Sequence, residues 1–135
     1  MARLPRPVLS ALLLCDQIIR EEGTHKASLI GIVRNIRVPR LPVSLSELWV
    51  YALLTDAEGE HRLRLDVVRL QDLVVTAQLV QISVRLHDRA NVGELVLKLG
   101  PTYVESPGLY EIQLLADDRL IGARSFTVVQ NLEDF

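Results

Sequence analysis

The sequence predicts an all-β protein, an antiparallel β-sandwich of about eight strands in a single domain over residues 1–135. Three observations carry this expectation. Short apolar stretches recur along the chain with a period of two, as in strands half buried against a second layer, rather than the 3.6 of helices. The breaks between them hold Asp, Gly and Pro, residues with a mechanism for reversing the chain. Finally, 49% apolar and 24% charged residues over 135 positions is a globular balance, sufficient for one core without a disulfide or metal staple.

The elements follow in order. Residues 8–19 and 47–55 are apolar on both faces, which predicts strands in a central place or with one face covered by a neighbouring subunit. A strand over 28–38 comes between them. After it, Pro39 and Pro42 remove backbone donors, so the stretch from Ile36 to Leu45 is predicted as an edge or a crossover between sheets. The clearest alternation lies in 61–70, where Leu63, Leu65 and Val67 are expected inward and Arg62, Arg64 and Asp66 in water. In 74–79 the alternation shifts phase near residue 79, as a bulge would cause. Val80, Ile82, Val84 and Leu86 then alternate with Gln81, Ser83 and Arg85. Strands over 94–99, 110–114 and 120–129 complete the set. Turns are expected at Asp56-Ala57-Glu58-Gly59, at Pro107-Gly108 and at Asp117-Asp118, the last a tight hairpin. No internal repeat or linker is visible.

A formal charge of -2 offers no global field for nucleic acid or an anionic membrane, and six aromatics are thin provision for stacking bases, so neither partner is expected. No apolar run approaches the roughly 20 residues that span a bilayer. The N-terminal MARLPRPVLSALLLC imitates a lipoprotein signal, but Leu12 and Leu14 are too bulky for cleavage and Pro5 and Pro7 interrupt the approach. Cys15 is the single cysteine, which fits a reducing compartment. The expected location is the cytoplasm.

The run Ser106-Pro107-Gly108-Leu109-Tyr110-Glu111-Ile112, followed by a hairpin and Ser125-Phe126-Thr127-Val128, resembles the last two strands of immunoglobulin-like domains. The resemblance implies an immunoglobulin-like sandwich in which the Tyr110 hydroxyl ties down a neighbouring loop. More specifically, CDQII at 15–19, GTHKASLIGI at 23–32, YALLTD at 51–56 and PGLYEIQLLADDRLIGARSF at 107–126 resemble an uncharacterised family of small bacterial proteins. That likeness covers nearly the whole chain. It implies a cytosolic β protein and carries over no catalytic residue.

The residues able to carry chemistry each have a plainer structural role. Cys15-Asp16 with His25 would supply a nucleophile, an acid and a base, yet Cys15 alternates in phase with Leu9, Ala11 and Leu13 and is expected to be a buried apolar residue. The histidines at 25, 61 and 87 lack the spacing of a zinc site. Asp56, Glu58, Asp88, Asp117 and Asp118 are expected to serve their turns rather than calcium. Arg34, Arg37 and Arg40 read as solubilising edge charges, and the glycines never form a phosphate-cradling loop. The tail, about 130–135, sets Leu132 and Phe135 on an acidic background as candidate partner-binding residues.

The function expected from these readings is a non-enzymatic protein–protein interaction or assembly module that self-associates, without catalytic residues, metal or cofactor. Its partners are expected to be further copies or another protein, with small molecules disfavoured. The alternative is a sandwich whose loops at one end bind a ligand or calcium.

Overall fold

The computed structural model describes residues 7–56, 58–86 and 93–131. Eleven strands are found among them: β1 (Val8–Arg20), β2 (Ala27–Ile32), β3 (Asn35–Val38), β4 (Val43–Leu45), β5 (Trp49–Thr55), β6 (Gly59–Arg69), β7 (Val74–Leu86), β8 (Gly93–Lys98), β9 (Thr102–Val104), β10 (Gly108–Ala116) and β11 (Arg119–Gln130). They form a four-stranded sheet in the order β2-β1-β5-β8, a five-stranded sheet in the order β3-β11-β10-β6-β7, and a two-stranded sheet of β4 and β9. Among the described residues no helix is long and apolar enough to cross a membrane.

Period-two patterning places the core. Leu12 and Leu14 of β1 and Val50, Ala52 and Leu54 of β5 share one apolar cluster with Leu63, Leu65 and Val67 of β6, Tyr110, Ile112 and Leu114 of β10, and Phe126 and Val128 of β11. The two large sheets therefore bury their facing rows against each other, which removes the most apolar surface from water that this pattern allows. β1 and β5 pair directly and stand centrally in their sheet, as their two-sided apolar sequences require.

The count of strands differs from about eight for identifiable reasons. The stretch 28–38 divides into β2, at the edge of one sheet, and β3, at the edge of the other. The Val33 N–H donates to the Leu14 carbonyl at 2.7 Å and the Arg34 carbonyl accepts from Thr127 at 3.0 Å, so two adjacent residues hand the chain across. The crossover thus precedes the prolines. β3 also runs parallel to β11, against the all-antiparallel expectation, because the chain enters the second sheet from the same end as β11. β4 and β9 are three residues each, too short to show a period.

Turn chemistry matches the sequence closely. Asp117 and Asp118 have φ of 50° and 66°, the two positive values that a type I′ hairpin turn needs, between Ala116 and Arg119. The phase shift near residue 79 is a register shift between β6 and β7 opposite Leu65 and Asp66, and a second lies opposite Val67 and Val68. Asp66, expected in water, is buried, because the Arg64 guanidinium closes over it with Nε at 3.1 and 3.2 Å from the two carboxylate oxygens. A buried carboxylate requires such a partner.

Candidate interaction surface

Because Leu12 and Leu14 face the core, Ala11, Leu13 and Gln17 lie in the opposite row, in which Cys15 is nevertheless fully buried, and the register extends that row across the sheet. Ile32 and Trp49 flank Cys15, Ile30 lies beside Gln17, Tyr51 beside Leu13, and Val96 beside Tyr51. Ile30 is 47% and Ile32 52% exposed, and Ile19 lies exposed on the same side. The outcome is an outer sheet face dominated by apolar side chains. Single exposed apolar residues are ordinary, whereas Ile19, Ile30 and Ile32 stand together on one side of the β1–β2 pair.

The polar groups bordering this face are tied to one another. Arg20 forms an ion pair with Glu94 and also donates to the His25 carbonyl at 3.1 Å, while the Tyr51 hydroxyl donates to the other Glu94 oxygen at 2.6 Å. The last β1 to β5 pair is Cys15 with Trp49, and Arg20, further along β1, still reaches Glu94 of β8. The Tyr51 hydrogen bond, followed by the Arg20 guanidinium, holds the Glu94 carboxyl below its ordinary range, and the same bond to Glu94 pushes the Tyr51 phenol up. Lys98 stands 5.9 Å over the Trp49 ring.

A second polar cluster joins two turns at one end. His61 is buried, with Nδ1 2.7 Å from Asp117 Oδ2 and Nε2 2.9 Å from the Glu58 carbonyl. Both neighbours are acceptors, so the ring makes both bonds only when both nitrogens carry protons. The Arg62 backbone N–H donates to Asp117 Oδ1, and this bond, with His61, holds the Asp117 carboxyl below its ordinary range against the opposing effect of burial. Asp118 pairs with Arg64 at 3.1 Å. The turns after β5 and β10 thus share one end, yet the Asp117 and Asp118 carboxylates are each engaged by cationic or N–H groups. Among the described residues no group of three or more His, Cys, Asp or Glu has the geometry to hold a metal ion.

The remaining sequence candidates are dispersed. Cys15 is fully buried, and that burial pushes its thiol up, with Arg124 opposing and Asp16 adding to the shift. His25 lies in the β1–β2 turn, beyond Arg20 and about 16 Å along the strand from Cys15 at ~3.3 Å per residue. Asp16 instead covers Gly31, whose φ of 68° and contact with that carboxylate leave no space for a Cβ. Arg34 and Arg40 flank β3, and Arg37 opens with Asn35, Ser44 and Glu47 onto a shallow groove of about 420 Å³. His87, Asp88, Leu132 and Phe135 lie outside the described residues. Sequence reasoning missed the Arg20–Glu94 and His61–Asp117 pairs. Each joins residues more than 50 positions apart, and only sheet order brings them together.

An all-β chain with two large sheets around one core defines the class of protein. The chain belongs to DUF6941, a family of unknown function whose model matches residues 10–129. No curated protein matches the sequence. Among solved structures it is similar to the Pseudomonas fluorescens alkylpurine DNA glycosylase AlkC bound to DNA containing an abasic site analog. The identity is 15% and the TM-score 0.43, over 70% of this chain and 27% of that one. The match therefore spans about a quarter of AlkC, and what AlkC binds is a property of AlkC. One expectation is corrected: the exclusion of nucleic acid from the partners, which rested on the net charge, is withdrawn. The physical reason is that a net charge of -2 averages over the surface and does not describe any local patch.

Proposed function

We propose that this chain is a cytoplasmic, immunoglobulin-like sandwich that acts as a non-enzymatic interaction module and associates with further copies of itself. The observation that carries the reading is the apolar outer face of the four-stranded sheet, with Ile30 and Ile32 about half exposed at its edge. The immunoglobulin-like part is supported by Tyr110, whose hydroxyl donates to the Ser106 carbonyl four residues upstream at 2.7 Å, the tie that a tyrosine corner makes.

A second copy is the occupant that the charges favour. Arg20 is neutralised by Glu94 within the same chain, so that charge does not oppose its own copy when two such faces meet, and Lys98 lies over the Trp49 ring at the border. An isologous contact needs only one self-complementary patch and no special residue, which agrees with the absence of a distinctive motif in the sequence. Covering the exposed half of one isoleucine contributes on the order of 1 kcal/mol, against which the lost freedom of two associating chains must be set.

Size-exclusion chromatography with light scattering tests this. The unmodified chain is expected to exceed its 15.2 kDa monomer mass as concentration rises, and Ile30→Glu is expected to lower that mass at every concentration. A monomeric wild-type chain, or an Ile30→Glu variant with unchanged association, contradicts the reading.

A further inference from the structure

The five-stranded sheet ends in a second surface. β7 pairs with β6 on one side and, among the described residues, with no strand on the other. Edge strands are ordinarily guarded by charge, proline or irregularity, because open N–H and C=O groups recruit another strand. The two register shifts guard the first half of β7. From Val80 to Leu86 the pairing with β6 is regular, and Arg85 is the one charged residue in the stretch.

Beside this stretch the core itself opens. β8 is the edge of the other large sheet, and Leu95 and Leu97 of β8 face Val80 and Ile82 of β7 across a small crevice floored by Leu63 and Leu65. Val80, Ile82 and Val84 are only partly buried against the core. An open backbone edge and an apolar rim thus coincide.

We propose that a second copy of this chain occupies this rim, its β7 pairing antiparallel with β7 about a two-fold axis at Ser83. This rests on the self-association reading and adds a second, separate contact to it. The strand's own sequence accommodates that occupant. About Ser83, Ile82 meets Val84 of the second copy and Val80 meets Leu86, all on the crevice side, while Gln81 meets Arg85 on the solvent side. The two copies of Arg85 then stand about 13 Å apart along the strands, beyond the screening length of ~8 Å at physiological salt. A register centred on Arg85 would instead oppose two cations, which is destabilising. Two different two-fold contacts per chain extend assembly past a dimer.

The test uses charge at the axis. Ser83 is exposed beside Arg62, so Ser83→Glu and Ser83→Lys leave the core untouched, and circular dichroism confirms that each remains folded. Both are made in the Ile30→Glu background, where the edge is the remaining contact, and read by sedimentation equilibrium. The expected result is residual dimer in Ile30→Glu alone, at least tenfold weaker association in either double variant, and recovery when the Glu and Lys variants are mixed in equal amounts. A monomeric Ile30→Glu chain, unchanged association in the double variants, or no recovery on mixing overturns the edge contact while leaving the sheet-face reading intact. A wild-type chain that is monomeric throughout overturns both.

Discussion

Replacing Tyr110 by Phe removes one oxygen from the centre of the fold and keeps everything else. The ring is buried and stacks on Phe126 at 5.6 Å between centroids, and those contacts survive the change. What is lost is the hydroxyl's donation to the Ser106 carbonyl at 2.7 Å. A net hydrogen bond contributes about 1 kcal/mol, and a carbonyl stranded without a partner raises the cost toward 3. Ser106 is half buried, so water reaches its carbonyl in part, and the expected loss is about 1–2 kcal/mol. For a chain of this length that corresponds to a fall in Tm of roughly 3–8 °C. Urea unfolding at constant m value measures it, with Ser106→Ala as the control. Since the main acceptor is the backbone, Ser106→Ala is expected to cost under about 0.5 kcal/mol. A Tyr110→Phe variant within about 0.3 kcal/mol of wild type, or a Ser106→Ala loss exceeding it, refutes the reasoning.

Other consequences follow from individual positions. Gly31→Ala combines a left-handed backbone with the Asp16 Cγ only 2.9 Å from the added Cβ, so a loss of about 2 kcal/mol or more is expected in chemical denaturation; a neutral effect would show that Asp16 moves aside freely. The Asp117 carboxyl is held below its ordinary range, so the stability it supplies is present above about pH 4 and lost as pH falls through its lowered folded value. Asp117→Asn should therefore lower Tm at neutral pH and narrow the difference from wild type in acid, as read by thermal melts across that range. Cys15, buried and with its thiol pushed up, should react with iodoacetamide far more slowly in native buffer than in denaturant, and equal rates would contradict its placement.

The fold was legible where a local pattern maps onto one element. Alternation located β6 and β10, the Asp117-Asp118 pair located a hairpin, and a break in phase located a bulge, since each is decided by near neighbours in sequence. β2 and β3 read as one strand because nothing local marks the transfer from Leu14 to Thr127; the partners that split them are distant in sequence. Asp66 read as solvated for the same reason, as the closing of Arg64 over it is a matter of side-chain reach, not period. For the surface, the two-sided apolarity of β1 and β5 was legible, and both strands stand in the middle of their sheet. The rim at β7 and β8 was not, because it is created by which strands end the two sheets, and strand order is a property of the whole chain.

The most direct test of self-association is sedimentation equilibrium of the unmodified chain over a broad concentration range. The account predicts a weight-average mass that rises reversibly above 15.2 kDa and passes twice that value at the highest loading. A mass of 15.2 kDa at every concentration would contradict it.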